Sequence, residues 1–191
     1  MSTRQRQTTA EALPDILPVF PLPGALLLPR GRMPLNIFEP RYLNMIEDAL
    51  ATPRLIGMIQ PKAGVTTPLV EDGVGLFDIG CAGRIISFAE TGDGRYLIKL
   101  EGVARFRVAA ELPGHAGYRR VRPDFQPYLG DFDEPATNAG LDRPQLFEVM
   151  RRYFDVRGIE ADEQAMTEAG DAALVTALAM SCPFDAPEKQ A

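Results

Sequence analysis

The sequence predicts an α+β fold, in which a partly open antiparallel β-barrel is followed by a small α-helical lobe. Two observations lead to this prediction. Between residues 74 and 125, apolar and polar residues alternate along strands that glycines bend or separate, as is typical of small antiparallel barrels. After residue 141 the apolar residues recur every three or four positions, which is the spacing of amphipathic helices.

Residues 33–50 join a strand directly to a helix. The apolar residues alternate from Met33 to Ile37, which predicts a short strand. Pro34 has no N–H to donate, so this strand is expected at a sheet edge. Pro40 fits the first turn of the helix that follows. The absence of a flexible joint between the two elements predicts a rigid corner.

Residues 13–29 hold five prolines among apolar residues. Proline at this density disfavours both a helix and a central strand, so an extended segment at a sheet edge is expected. Residues 55–59 are apolar on both faces, which predicts a strand covered on both sides. Gly80 and Gly83 interrupt the next strand and predict a bulge or a bend.

The chain is expected to divide into a disordered tail at 1–12, a β domain at 13–125, a linker at 126–140 and a helical lobe at 141–191. Asp142 is predicted to cap the first helix of the lobe, and Gly158 to end it. Asp162 and Asp171 are expected to begin two further helices.

The composition is that of an ordinary globular protein with a net charge of −6 and a pI of about 4.9. This acidic balance disfavours general binding to nucleic acid. No apolar stretch approaches the ~20 residues of a membrane span, and no signal peptide is recognisable, so a cytoplasmic protein is expected. Cys81 and Cys182 are far apart and are predicted to be reduced, buried thiols.

Residues suited to catalysis or metal binding are few. The sequence has no phosphate-binding loop of the GxxxxGK[ST] type. His115 is the only histidine and is expected in an exposed, flexible loop, where it has neither a neighbouring nucleophile nor further histidines for a metal site. The paired carboxylates, such as Asp162 and Glu163, are expected in loops or at helix starts. No catalytic, cofactor-binding or metal-binding residue is therefore predicted.

Several separated motifs resemble, in the same order, the N-terminal domain family of Lon proteases. The resemblance is close over residues 17–108 and looser beyond them. It rests on these motifs: Leu17-Pro18-Val19-Phe20-Pro21-Leu22, Pro34-Leu35, Ile37-Phe38-Glu39-Pro40-Arg41-Tyr42, Gly83-Arg84-Ile85, Asp93-Gly94-Arg95-Tyr96-Leu97-Ile98 and Gly102-Val103-Ala104-Arg105-Phe106. One departure is Asn36, where the family usually has histidine. Members usually also continue past residue 190 into another helix, which leaves open whether the helical lobe is complete.

This resemblance implies a PUA-like barrel and a non-catalytic domain that binds unfolded or exposed apolar segments of other proteins. A name such as peptidase, given by similarity to full-length Lon protease, would therefore not mean that this chain has peptidase activity. Binding would use a groove between the lobes or an open barrel edge. The candidate contact residues are Phe20, Leu22, Leu26, Phe147, Tyr153 and Phe154. The motif Phe38-Glu39-Pro40-Arg41-Tyr42, whose members are called the signature residues, is expected to be structural. Phe38 and Tyr42 would lie in the core, and the charges of Glu39 and Arg41 would lie at the start of the helix.

Two alternatives remain open. Some PUA-like domains bind RNA, and five arginines are predicted to form a basic patch that would serve this purpose: Arg105, Arg107, Arg119, Arg120 and Arg122. The chain would otherwise act as an accessory subunit of a separate ATP-dependent protease, or with a chaperone.

Overall fold

A computed structural model of the chain describes residues 13–62, 74–133 and 140–190. The chain forms two compact units, the first made of Met1–Asp133 with Ala179–Ala191 and the second of Glu134–Leu178. The tail predicted at residues 1–12 lies outside the described residues, as do residues 134–139 of the expected linker. The predicted domain boundaries stay a prediction.

The first unit is built on a six-stranded sheet and one helix that covers it. Its elements are β1 (Leu17–Pro21), β2 (Arg32–Ile37), α1 (Pro40–Leu50), β3 (Leu55–Ile59), β4 (Ile79–Glu90), β5 (Tyr96–His115) and β6 (Tyr118–Asp124). The strand order is β2-β5-β4-β3-β1-β6, and β5 also pairs with β6. Strands β1, β3, β4, β5 and β6 thus pair in a closed circuit, with β2 outside it. The predicted α+β fold is confirmed.

Two expectations about β1 need correction. The sheet is mixed and not wholly antiparallel, because β1 runs parallel to β3. In addition, β1 lies between β3 and β6 and not at an edge. The prolines are accommodated because the pairing is stepped: Pro18 has its register partner on β6, and Pro21 has its partner on β3. Each missing N–H therefore affects the pairing with one neighbour only.

The predicted corner between strand and helix is confirmed. Strand β2 pairs with β5 alone and forms the edge of the sheet, with Pro34 opposite Lys99. Helix α1 begins at Pro40, directly after the N-cap residue Glu39. It turns its apolar face, including Met45 and Ile46, into the core of the first unit.

Glycines allow the long strands β4 and β5 to bend and to approach other backbone closely. The register between these strands shifts at Ala82/Gly83, as the sequence predicted for this region. A Cβ atom on Gly80 would lie 2.7 Å from the Phe106 ring. A Cβ atom on Gly102 would lie 1.9 Å from the Leu28 carbonyl oxygen. Only glycine fits at Gly102 without moving the chain.

The core of the first unit consists of two apolar clusters. The cluster around Phe106 also includes Leu17, Val19, Leu55 and Val121. The second cluster lies against α1 and joins it to strands β1 to β5; its buried members include Phe20, Leu27, Ile37, Tyr42, Met58, Cys81 and Leu100. Strand β3 is buried at all five positions, as predicted.

The beginning of the expected linker is ordered. Gln126–Phe132 forms a 3-10 helix that belongs to the first unit. Near the end of the chain, α5 (Ala186–Gln190) also belongs to this unit. The Lys189 ammonium group ties α5 to the segment after β1 by donating a hydrogen bond to the Gly24 carbonyl oxygen at 2.8 Å.

The second unit contains α2 (Arg143–Arg157), α3 (Glu163–Glu168) and most of α4 (Asp171–Ser181). The predicted caps are confirmed. The Asp142 carboxylate accepts a hydrogen bond from the Gln145 N–H at 3.0 Å, and Gly158 ends α2 with φ 63°. The Arg143 guanidinium donates to carbonyl oxygens at the end of α3 and to Asp171, which binds the three helices together.

Candidate functional site

The first unit contains an apolar cleft of about 200 Å³, here called the barrel cleft. The segment after β1, strands β3, β4 and β5, the 3-10 helix and α5 all contribute to it. Most of its lining is apolar, and several lining side chains are fully buried. The lining residues are Ala25, Leu26, Leu27, Leu28, Met58, Ile59, Gln60, Ile79, Gly80, Cys81, Arg105, Tyr128, Lys189 and Gln190.

Two polar groups of the barrel cleft, those of Gln60 and Lys189, meet at Gly24. Gln60 is only 1% exposed, and its Oε1 atom accepts a hydrogen bond from the Gly24 N–H at 3.2 Å. The Gln60 Nε2 atom is buried and has no hydrogen-bond partner within the part of the chain that the structure describes. The Gly24 carbonyl oxygen accepts the hydrogen bond from Lys189. The cleft therefore places two hydrogen-bond donors beside an apolar surface.

Lys189 is a charge of the barrel cleft for which the described residues provide no carboxylate partner. The described residues contain no salt bridge to Lys189, and no aspartate or glutamate lines the cleft. Burial lowers the pKa of the Lys189 ammonium group, because an apolar environment disfavours the charged form. An anion bound near Lys189 would reverse this effect.

Arg105, the other cation of the cleft, is already paired. Its Nε and Nη2 atoms donate to the two carboxylate oxygens of Asp131 at 3.0 and 2.6 Å, and its guanidinium lies 4.9 Å from the centre of the Tyr128 ring. Burial alone would raise the pKa of the Asp131 carboxyl, but hydrogen bonds and charge from Arg105 bring it below its ordinary value. Arg105 therefore has little charge left for a ligand.

The Cys81 thiol also lines the barrel cleft. It is buried, and this burial raises its pKa far above the ordinary value of a thiol. A protonated thiol is a poor nucleophile and a poor metal ligand. Cys81 thus contributes apolar lining and not reactivity. Cys182 is buried as well, and both cysteines are free, as predicted.

The second unit has its own cleft, of about 240 Å³, between α2 and α3; we call it the helical cleft. Phe147 and Phe154 from α2, together with Ile159 and Met166, provide its apolar walls. Arg151 and Glu163 form its polar part and pair through two hydrogen bonds of 2.9 and 2.8 Å. The remaining lining residues are Asp155, Ala161 and Thr167.

The six candidate contact residues are distributed over different surroundings. Leu26 lines the barrel cleft, and Phe147 and Phe154 line the helical cleft. Phe20 is buried in the core, with its ring centre 4.2 Å from that of Tyr42. Leu22 packs against the same core. Tyr153 is half-buried on α2, next to Phe154. Their binding role stays a prediction.

The signature residues differ from one another in environment. Tyr42 is 3% exposed and belongs to the core, as expected. Phe38 was expected to be buried with it, but this is wrong, because Phe38 is 57% exposed. The strand ends at Ile37, whose buried side chain takes the position in the core. The Arg41 guanidinium donates two hydrogen bonds to the Glu39 carboxylate, at 3.0 and 2.9 Å, so these charges bind each other.

Three of the five arginines in the predicted basic patch are bound to acceptors of the protein itself. Arg105 is paired with Asp131. Arg119 donates to both carboxylate oxygens of Glu111, at 2.6 and 2.8 Å, and Arg120 donates to the Pro113 carbonyl oxygen. Charge that is paired in this way is less available to phosphate groups. Arg107 and Arg122 are exposed.

His115 does not lie in a flexible loop, as was expected, but ends strand β5, opposite Tyr118. The reason is that β5 and β6 form a long hairpin whose pairing, after a register shift between Leu112 and His115, resumes at His115. The His115 Nε2 atom lies 3.6 Å from Asp48, to which the Tyr118 hydroxyl donates at 2.8 Å. Within the described ranges, no group of three or more histidine, cysteine, aspartate or glutamate residues is arranged to hold a metal ion.

Sequence reasoning did not identify Gln60 or Lys189. Gln60 follows the fully apolar strand β3, and a glutamine directly after such a strand would have been the only signal. Lys189 lies close to the C-terminal end of the sequence, 165 positions from Gly24. Its position beside Gly24 depends on the path of the whole chain.

A closed circuit of strands with a capping helix, followed by a small helical unit, defines the chain as an α+β domain with apolar clefts. No described helix is long and apolar enough to cross a membrane. The chain belongs to the ATP-dependent protease La (LON) substrate-binding domain family, whose profile matches residues 16–191. The resemblance found in the sequence is thereby confirmed.

Curated relatives are Lon proteases from bacteria. Lon protease 2 of Myxococcus xanthus is 32% identical over 115 residues, which are 60% of this chain and 13% of that protein. Lon protease 2 of Sorangium cellulosum is 30% identical over 131 residues, or 66% of this chain and 16% of that protein. The chain thus spans less than a fifth of the length of these relatives.

Solved structures of the same kind share the fold. A Lon N-terminal domain protein from Xanthomonas campestris aligns with a TM-score of 0.59 and 24% identity, covering 92% of this chain and 87% of that one. The N-terminal domain of the Mycobacterium avium complex Lon protease aligns with a TM-score of 0.55 and 16% identity, covering 92% and 88%.

Proposed function

We propose that this chain is a non-catalytic module that binds exposed apolar segments of other, unfolded proteins. Its membership of a substrate-binding domain family supports this proposal. The observation that carries the proposal is the helical cleft, in which two of the aromatic residues singled out from the sequence, Phe147 and Phe154, form one apolar wall.

The size of the helical cleft suits a side chain better than a whole small molecule. Its volume of about 240 Å³ is below the ~300 Å³ at which small-molecule sites begin. Apolar side chains projecting from an extended peptide fit such a cleft one at a time. This form of recognition depends on apolar area and not on a particular sequence, as a module for unfolded proteins requires.

The polar part of the helical cleft is fixed in place. The bidentate pair between Arg151 and Glu163 links α2 to α3, and both side chains are exposed. The Arg151 pKa is raised and the Glu163 pKa is lowered by their mutual hydrogen bonds. Both groups therefore stay charged near neutral pH, and hydrogen-bonding atoms remain available to the main chain of a bound peptide.

The experiment is a titration of a fluorescent, C-terminally amidated peptide rich in leucine and phenylalanine. Phe147→Ser and Phe154→Ser are expected to weaken binding about tenfold or more, as is usual for buried aromatic contacts at an interface. Val156→Ser is the matched control, because Val156 lies on the same helix, is 85% exposed and does not line the cleft. Unchanged affinity in both folded phenylalanine variants would contradict the proposal.

We further propose that the bound segments are passed to an ATP-dependent protease. The support is that the curated relatives are Lon proteases, of which this chain matches a small part. Crosslinking from native cells is expected to recover such a protease together with unfolded proteins. Recovery of unfolded proteins without any protease would contradict this step and leave the binding role intact.

A further inference from the structure

The barrel cleft combines an apolar surface with two hydrogen-bond donors, one of which has no acceptor among the described residues. Leu26, Leu28 and Met58 form part of the apolar surface. The donors are the Gln60 Nε2 atom, which is buried and unpartnered within the described residues, and the Lys189 ammonium group. A buried donor without an acceptor is destabilising, so it is rarely retained without a use.

Both donors are held by one residue. The Gly24 N–H donates to Gln60 Oε1, and the Gly24 carbonyl oxygen accepts from Lys189. The hydrogen bond from Gly24 also settles the orientation of the Gln60 amide, because the opposite orientation would set two donors against each other. The Nε2 atom is therefore a donor, and the group that would satisfy it is a hydrogen-bond acceptor.

The charges of the barrel cleft select among possible acceptors. Asp131 neutralises Arg105, whereas Lys189 has no carboxylate partner in the part of the chain that the structure describes. The Lys189 ammonium group has two further N–H donors, and the unpaired Gln60 amide N–H lines the same cleft. Together they are complementary to a carboxylate with two acceptor oxygens. The adjoining leucine and methionine surface is complementary to an apolar group attached to that carboxylate.

We propose that the barrel cleft binds the C-terminal end of a polypeptide whose last residues are apolar, with Lys189 and Gln60 holding its terminal carboxylate. This inference rests on the proposed function and specifies one class of its substrates. The C-terminal end of a polypeptide carries a negatively charged carboxylate directly beside its last side chains. The carboxylate is complementary to Lys189 and Gln60, and apolar last side chains are complementary to the leucine and methionine surface. Because Nε2 is closed to solvent, the side chains around it shift as the ligand enters.

The test compares two fluorescent peptides that share one apolar C-terminal sequence and differ only in a free acid or an amide at the end. The parent protein is expected to bind the acid about tenfold or more tightly than the amide, as for loss of a charge-assisted hydrogen bond. Lys189→Met is expected to remove this preference, and Lys189→Arg to restore most of it.

Two further variants control for unrelated effects. Gln60→Glu keeps the acceptor for Gly24 and removes the Nε2 donor, so it is expected to weaken binding of the acid without weakening that of the amide. Lys62→Met removes an exposed lysine that is paired with Asp78 outside the cleft, and is expected to change nothing. Thermal unfolding of each variant identifies any that fail to fold. If Gln60→Glu does not fold, the comparison of acid and amide in Lys189→Met decides the test.

Three outcomes would overturn the inference. These are equal binding of acid and amide, retention of the acid preference in folded Lys189→Met, and tighter binding of decanoate than of the free-acid peptide. The last result would assign the cleft to fatty acids. Failure of the proposed function is separate, because it is measured with an amidated peptide and with variants at Phe147 and Phe154.

Discussion

The Asp131 carboxylate accepts three hydrogen bonds from Arg105: two from the guanidinium group, at 3.0 and 2.6 Å, and one from the backbone N–H, at 2.9 Å. This contact attaches the 3-10 helix Gln126–Phe132 to strand β5. It also neutralises one of the two cations in the barrel cleft, which leaves Lys189 as the cation available to an anionic ligand.

The contact between Asp131 and Arg105 predicts a stability that depends on pH. The pKa of Asp131 is lower in the folded protein than its ordinary value, so the unfolded chain binds the proton more tightly. The stabilisation is complete above the unfolded pKa of about 4 and is lost as the pH falls through the folded value. Asp131→Asn is expected to lower the free energy of unfolding at pH 7 by about 1–3 kcal/mol.

Urea unfolding at a series of pH values checks this prediction. The difference between the parent and Asp131→Asn is expected to shrink as the pH falls below about 4. Asp78→Asn is the control, because Asp78 forms an exposed pair with Lys62 and should change stability by less than about 1 kcal/mol. A difference that stays constant with pH would contradict the assigned role of the Asp131 charge.

Gly102 is predicted to tolerate no side chain. Its N–H and carbonyl groups bond with Gly31 and Arg30, and an added Cβ atom would lie 1.9 Å from the Leu28 carbonyl oxygen. Gly102→Ala is expected to destabilise the protein by about 3 kcal/mol or more, since backbone must move. Gly92→Ala, where nothing lies within 4 Å, should change stability by about 0.5 kcal/mol or less. Equal midpoints in urea would show that the backbone relaxes freely.

The two aromatic residues of the signature are predicted to differ in their effect on stability. Tyr42 is buried against Phe20 and beneath the Arg41 guanidinium, so Tyr42→Ala should cost about 3–5 kcal/mol. Phe38 is exposed, so Phe38→Ala should cost about 0.5 kcal/mol or less. Calorimetric unfolding measures both. A large loss in Phe38→Ala would mean that the exposed ring is buried in solution.

Binding to RNA is predicted to be absent at low salt. Arg119 and Arg120 are engaged with Glu111 and Pro113, and the net charge of −6 opposes phosphate backbones. A filter-binding assay with mixed-sequence RNA checks this. Retention that falls steeply with salt and is reduced by Arg107→Ala and Arg122→Ala would support the RNA alternative in place of the peptide-binding one.

Much of the local structure was predictable from the sequence because its signals are short in range. The caps at Asp142 and Gly158, the helix start at Pro40 and the edge position of β2 all follow from the chemistry of residues close together in the chain. The interior position of β1 was not predictable in this way. It depends on β3 and β6, which lie far along the chain and accommodate Pro18 and Pro21 on opposite sides.

The same distinction applies to the candidate sites. Phe147 and Phe154 were selected from helical periodicity, and both line the helical cleft because residues seven apart share a helix face. The exposure of Phe38 was missed although the alternation of β2 pointed to it: Phe38 shares the exposed face of Pro34 and Asn36 and lies opposite the buried Ile37.

The sequence by itself determined the α+β class, the family and the positions of most helices and strands, because periodicity, prolines and capping residues act over a few positions. Only the tertiary structure decided that Gln60 and Lys189 meet at Gly24, 36 and 165 positions away from it, respectively. The physical reason is that a buried donor and an unbalanced charge are defined by what surrounds them, and those surroundings come from distant parts of the chain.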